Sequence, residues 1–499
     1  MNNKISGAIR YNESVNYPAS APFDPDKSYP ETVNIPISEE QNDIYTMVRD
    51  CFSDLKMDKE NIGTEKWSPL SELVFPGDTV VIKPNLVLNT SDPNIQECTT
   101  THPSILRPVI DYCWKALNEQ GEIIVGDAPS AEANFDEIVD RTGIRKMIEI
   151  LQHRGVNVHL KDFRALRVTT DSGIWTGEQV TNTDKPNSKI VNLKNLSMFS
   201  VPDYAKKRLH GAGYDIKATN RHHHGNRQEY CISESILNAD VVISVPKLKT
   251  HRKAGITCCL KNLVGINTDK NYLPHFSLGG ANMNGDEMPS VERKYKMRMR
   301  LYNWIRENII AYTWHIVGGM GVRFLKKMRS SESIDITSGQ NNNNSTRGDE
   351  DIAKWLHNRL SGQKIAAGAW PGNETICRMI LDLNRIFLYC DENGNVNNKK
   401  CRRILYIIDG ILSGAGNGPT SPIPLQTGSI AVGSNGLELD LAMLKFMGVD
   451  SNKIPLYRMA KEQKWMFDDN PRDILINGDH FSDKETAKVN FRAPDSWDY

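Results

Sequence analysis

Short β-branched runs that each end in charged or glycine-bearing residues recur along this chain, with amphipathic stretches between them. VVIK (80–83) ends in Lys83, Pro84 and Asn85, and EIIVGD (122–127) ends in Gly126 and Asp127. ADVVISV (239–245) is stopped by Pro246, and Lys247, Lys249, Thr250, His251, Arg252 and Lys253 follow. Strand, helix, strand in succession calls for parallel pairing, because the crossover returns the chain to the same end of the sheet. The spacing predicts helices over 41–55, 104–121, 135–155 and 436–448, and further strands over 156–163, 401–410 and 428–435. The expected fold class is α/β: a doubly wound, mostly parallel sheet with helical and loop insertions.

Residues 1–40 are rich in Pro, Asn and Ser and read as an irregular arm. A first part of the α/β domain is expected over 41–290, an insertion over 291–350, and a C-terminal part over 351–499 that completes the domain. Within 293–329, ten Lys/Arg residues are interleaved with Trp304, Ile309, Trp314 and Phe324. This is the composition of a basic amphipathic helix, either packed as a lid or lying on an anionic membrane surface. SGQNNNNSTRGDED (338–351) reads as a linker.

Several classes are disfavoured at this level. Lys+Arg and Asp+Glu both number 61, so the chain lacks the overall electropositive field of a nucleic-acid binder, and no nucleic-acid partner is expected. The N-terminus has no apolar signal-peptide core, and no apolar run reaches the roughly 20 residues that span a bilayer. The nine cysteines are odd in number and form no CxxC pair, which argues against a disulfide framework or a zinc ribbon. No iron–sulfur cluster is expected. A cytoplasmic location follows, at most peripheral to the inner face of the membrane.

Five strand ends carry polar groups: Lys83/Asn85, Gly126/Asp127, Lys247/Lys249/His251, Asp409 and Ser434/Asn435. Parallel strands deliver their ends to one edge, so a shared site is expected there. The cations Lys83, Lys247, Lys249 and Lys261, with Asn85, Asn262, Ser434 and Asn435, suit an anionic small molecule. His251, His102, Asp127 and Asp409 are the candidate acids, bases or metal ligands. In CTTTHPSILRP (98–108), Thr100 or Thr101 is placed to cap a helix with Pro103 in its first turn. DGILSGAGNGPTSP (409–422) reads as a glycine turn in which Gly416 and Gly418 let backbone approach a ligand. Pro419 and Pro422 exclude the helix a dinucleotide fingerprint needs, and no GxxxxGK[ST] occurs. The loop 265–289 places Asp269, His275, Asp286 and Glu287 as candidate ligands of a divalent metal. RHHHGNR (221–227) offers at most one useful histidine, since consecutive residues cannot all face one ion.

The segments VVIKPNLV, TTHPSILRPVID, IIVGDAPS, ADVVISVPKLKTHRKAGITCCLKNLVGIN, DGILSGAGNGP and SNGLELDLAMLKFMG together resemble the DUF362 family over roughly residues 78–448. The family's motif positions fall on Lys83, Asn85, His102, Pro103, Asp127, Lys247, Lys249, His251, Lys261, Asn262, Gly418 and Asp440. NTDKNYLPH, GDEMP and WPGNETICRMILDLNR are similar to blocks of its longer members, which tend to occur in bacterial surface-polysaccharide gene clusters. The resemblance thus implies a role in surface-glycan biosynthesis. Some members carry a ferredoxin-like cysteine module, which this chain lacks, and Phe276 stands where longer members tend to have a second histidine after LPH. The expectation is an enzyme acting on a phosphorylated or carboxylated small molecule, of open reaction type. The alternative is a non-catalytic ligand-binding or assembly protein of a glycan pathway, docked at the membrane through 293–329.

Overall fold

The computed structural model describes residues 5–171, 174–180, 187–211, 215–305, 307–308, 359, 361–363, 365–467, 473–481 and 489–498. The linker expected over 338–351, and the part of the basic segment beyond residue 308, lie outside the described residues.

An eleven-stranded sheet organises the chain. Its strands are β1 (Ile5–Tyr11), β2 (Thr79–Lys83), β3 (Glu122–Asp127), β4 (Val158–Asp162), β5 (Val241–Ser244), β6 (Lys247–His251), β7 (Gly255–Thr257), β8 (Arg403–Asn417), β9 (Ser421–Gly433), β10 (Asp473–Ile476) and β11 (Asp479–His480). They run in the order β11-β10-β1-β9-β8-β5-β2-β3-β4, and β6 pairs with β8 and β7. The block β8-β5-β2-β3-β4 is parallel throughout, as the strand–helix rhythm requires. Antiparallel pairing enters where β9 turns back along β8 and where β1 joins β9.

Helices cover both faces, and the period of two along each strand shows it. In β2 and β5, Val80, Ile82, Val241 and Ile243 point into one apolar core. Helices α1 (Asp43–Asp54), α3 (Pro103–Leu117), α4 (Phe135–Arg141) and α5 (Ile144–His153) line that core. Val81 and Val242 point into the other, with α8 (Thr375–Tyr389) and α9 (Gly436–Phe446). Three further helices used below are α2 (Pro93–Thr99), α6 (Cys259–Asn262) and α7 (Arg293–Ile305).

Three expectations are corrected. The segment 1–40 is not wholly an irregular arm, because β1 enters the sheet between β9 and β10. The glycine stretch after Asp409 continues β8 to Asn417 and returns as β9, so it is a long two-stranded ribbon and not a turn. Helix α3 is capped by His102, not by Thr100 or Thr101, and α2, which the sequence reading missed, ends just before it at Thr99.

Helix α8 is seated by a buried carboxylate. Asp382 accepts from Ser197 Oγ (2.5 Å), Met198 N–H (2.7 Å) and Tyr230 O–H (2.9 Å). Three buried donors converging on one side chain lose their partner together if it is removed. Asp382→Ala is therefore expected to lower unfolding free energy by about 3 kcal/mol. Denaturant titration with an unchanged m-value is the check.

Candidate functional site

The parallel strands end in lysines that are buried against acceptors from neighbouring strands. Lys83, the last residue of β2, is fully buried, and its Nζ lies 2.7 Å from Asp127 Oδ1 at the end of β3. The same ammonium donates to Pro84 O (2.9 Å) and Asn262 Oδ1 (3.2 Å). Asp127 Oδ2 accepts from Leu86 N–H at 2.9 Å. Gly265 closes over this pair. A Cβ there would stand 2.0 Å from Asp127 Oδ1 and 2.7 Å from Lys83 Nζ, so only glycine fits.

Past Pro246 the chain resumes as β6 beside β8, which brings Lys247 into register with Asp409. Both are fully buried, with Lys247 Nζ 3.0 Å from Asp409 Oδ2. Asp409 also accepts from Tyr17 O–H (2.5 Å) and from the backbone N–H of His102 (2.8 Å). Tyr17 stacks on His102 with ring centroids 4.0 Å apart. A cleft of about 800 Å³ opens over these rings, lined in part by Tyr17, Phe23, Thr101, His102 and Leu412.

Lys249 differs from Lys83 and Lys247. It is fully buried, and its Nζ donates to Asn85 Oδ1 (2.6 Å) and to the Thr99 carbonyl. Both acceptors are neutral, and burial pushes its pKa well below the ordinary lysine value. Lys261, on α6, makes no hydrogen bond or ion pair among the described residues. Burial, with Lys83 repelling it, lowers its pKa to about 8. Lys83 and Lys247 are thus matched by carboxylates, whereas Lys249 and Lys261 are not.

The histidines differ in which nitrogen is free. His251 Nδ1 lies 3.1 Å from the backbone N–H groups of Lys253 and Ala254, and a backbone N–H can only donate. Nδ1 is therefore the acceptor, and the ring proton sits on Nε2. His102 is fixed the same way by Ser104 N–H at 3.2 Å. His275 is the reverse. Its Nδ1 faces the Leu273 carbonyl at 2.9 Å and must donate, which leaves the lone pair on Nε2. Burial first, and then nearby lysines, hold all three well below the usual imidazole pKa, so they are neutral at pH 7. His251 and His102 can donate, and His275 can accept a proton or a cation.

Other expected members stand elsewhere. Ser434 and Asn435 follow β9, which runs antiparallel to β8 and ends at Gly433 opposite Tyr406. Asn435 caps α9 through Leu437 N–H and Glu438 N–H. Gly416 and Gly418 meet the chain's own β6 and not a ligand: Thr250 Oγ1 donates to the Gly416 carbonyl (2.7 Å), and Gly418 leaves room for Thr250, whose O would lie 2.1 Å from a Cβ there. The metal set Asp269, His275, Asp286 and Glu287 does not gather. Asp269 caps Asn271 N–H, Asp286 accepts from Ser277 and from Thr375 at the start of α8, and Glu287 accepts from Gly279 N–H. Among the described residues, Cys258, Cys259 and Asp440 are the group whose ligand atoms lie within 4.8 Å of one another. Asp440 there already accepts from Cys259 N–H, Leu260 N–H and Tyr457 O–H, so it holds α6, and with it Lys261 and Asn262, in place.

Tyr17, Thr99 and Gly265 were not singled out from the sequence. Tyr17 carries no signal beyond being an aromatic in a Pro- and Asn-rich stretch. Gly265, in the LKNLVG block, was legible as a glycine but not as the cover of an ion pair.

Replacing Asp127 with Asn leaves the Lys83 ammonium buried without a counter-charge. The expected cost is about 3 kcal/mol near pH 7. The folded variant then holds the Lys83 proton less tightly than the unfolded chain, where lysine titrates near 10.5. The deficit should therefore shrink as pH rises towards that value. A deficit that stays constant in denaturant titrations across this range would count against a charged Lys83 at the strand end.

The family model described as "Domain of unknown function (DUF362)" matches residues 80–196 and 177–445. No curated protein matches the chain. Among solved structures, the crystal structure of a Thermotoga maritima protein, a structural-genomics target, is 12% identical, with a TM-score of 0.26. The aligned part covers 79% of this chain and 56% of that one. No helix among the described residues is long and apolar enough to cross a membrane. The strand ends that carry Lys83, Asp127, Lys247 and Lys249, and the glycine that covers the first pair, all lie within the matched residues, and the chain belongs to the DUF362 family.

Proposed function

We propose that the chain is an enzyme that binds a phosphorylated or carboxylated small molecule at the carboxyl edge of its parallel strands. One observation carries this reading. Lys249 is buried against neutral oxygens only, and the half-buried Lys261, whose charge acts on it, has no hydrogen-bond or ion-pair partner among the described residues. A buried cation without a counter-charge is costly, and an anion placed between the two relieves that cost. Lys83 and Lys247 are already neutralised, so their role is to hold Asp127 and Asp409, and through Asp409 the start of α3, in position.

In this reading Lys249 and Lys261 hold the anion, and His251 Nε2–H donates a further hydrogen bond. His275 Nε2 is the proton acceptor, since its lone pair is free and its pKa leaves it neutral. Asp127 and Asp409 act as positioning residues, because each carboxylate already faces an ammonium. The sequence blocks similar to longer family members of polysaccharide gene clusters support a sugar phosphate or nucleotide sugar of surface-glycan assembly as the substrate class.

Isothermal titration with inorganic phosphate, a sugar phosphate and a nucleotide sugar tests the reading. Lys261 titrates near 8 in the free protein. A bound anion raises that pKa, so binding takes up a proton, and affinity is full below about pH 8 and falls above it. A drop of roughly tenfold between pH 7 and pH 9 is expected. Lys261→Met should remove the step centred near pH 8 and weaken binding at least about tenfold while leaving the unliganded melting midpoint unchanged or higher. Failure of all three ligands to bind, or a Lys261→Met variant that binds as tightly as wild type, would overturn the reading. His275→Gln is expected to bind but not turn over.

A further inference from the structure

Helix α7 belongs neither to the anion site nor to the sheet. It is RKYKMRMRLYNWI, with five cations and no acid in its thirteen residues. One side is anchored: Met299 is buried with Met288 and Val291, and Tyr295 and Tyr302 pack against them. Beyond the helix end, Arg208 and Glu307 form an ion pair at 3.8 Å. Met297, Leu301 and Trp304 fall on the opposite side within about 60° of arc at the helical period. They are exposed to 80%, 59% and 54%, which makes them among the most exposed large apolar side chains described.

The cations flank this stripe. By the same period Arg293 and Arg300 lie along one margin and Lys294 along the other, with Lys296 and Arg298 further out. Lys294 is paired with Glu292 at 3.0 Å, whereas Arg293, Lys296 and Arg300 make no ion pair among the described residues. The apolar face is therefore bordered by positive charge with little internal neutralisation. A protein core partner would leave those cations buried or opposed, while an anionic lipid surface matches both parts. Its headgroups take the arginines and lysines, and its acyl boundary takes the methionine, leucine and indole.

We propose that α7 is a docking surface for an anionic bilayer, lying in the headgroup plane with Met297, Leu301 and Trp304 immersed. The docking rests on α7 alone and stands whether or not the strand-edge site binds an anion.

Sedimentation of the full chain with vesicles tests it. The chain should partition into phosphatidylglycerol–phosphatidylcholine vesicles and far less into phosphatidylcholine alone, and the partitioning should weaken as salt is raised. M297S/L301S/W304S removes the apolar stripe from an exposed position, so its melting midpoint should stay that of wild type while partitioning falls by roughly a hundredfold or more. R293Q/K296Q/R300Q should lose roughly a hundredfold on anionic vesicles and depend less steeply on salt than wild type. Equal partitioning into neutral vesicles, no partitioning into anionic ones, or undiminished partitioning of either triple variant overturns the proposal. If vesicles are ignored and the chain is instead a dimer that M297S/L301S/W304S dissociates, the face belongs to a second copy and the lipid assignment fails.

Discussion

Two buried lysines, Lys83 at the end of β2 and Lys247 at the start of β6, each facing an aspartate from the adjoining strand, set the geometry on which the strand edge depends. Lys83–Asp127 joins β2 to β3, and Lys247–Asp409 joins β6 to β8. Neither pair is a source of large net stability, because desolvating two charges costs about what their attraction returns. Their effect is on placement. Asp409 also accepts from Tyr17 and from the backbone N–H of His102, the cap of α3, so one carboxylate locates the arm, the strand and the helix start. Asn262 and Gly265 close around the other pair. With those two lysines satisfied, the unmatched Lys249 and Lys261 are the residues left to attract a ligand.

Much of this was legible in the sequence. The β-branched runs and the helices between them fixed strand direction for β2, β3, β4, β5 and β8, and the residues just past those runs are the ones that meet. What failed did so for physical reasons. Ser434 and Asn435 follow a β-branched run like the others, but alternation cannot say whether a run is parallel to its neighbour, and β9 is not. Gly416 and Gly418 look like a turn, yet Gly416 sits in the ribbon at a φ of 74°, and Gly418 lies too close to Thr250 of β6 for any side chain. β1 lies in a stretch whose composition suggests no structure, because Ala8 and Ile9 find apolar neighbours only across the sheet. The carboxylates of the 265–289 loop are close in sequence but are consumed by nearby backbone amides.

Histidine chemistry was the least accessible layer. Sequence alone treats His102, His251 and His275 alike, as acid, base or ligand. Their roles separate only when backbone groups two or three residues away are placed: an N–H against Nδ1 makes a donor of the far nitrogen, and a carbonyl against Nδ1 makes an acceptor of it. A turn of the main chain thus decides the direction in which each ring can move a proton.

The position of β1 has a consequence for how the chain is made. Gly7 pairs with Gly433, and Ile9 with both Ala431 and Ile476. The first of the described strands therefore has no ladder partner until β9 and β10 have been translated. Until then Ile5–Tyr11 is a bare edge whose amides and carbonyls are open to any other extended segment. The sheet can close only after β9 has been translated, so Ile5–Tyr11 needs protection throughout the synthesis of every strand in between.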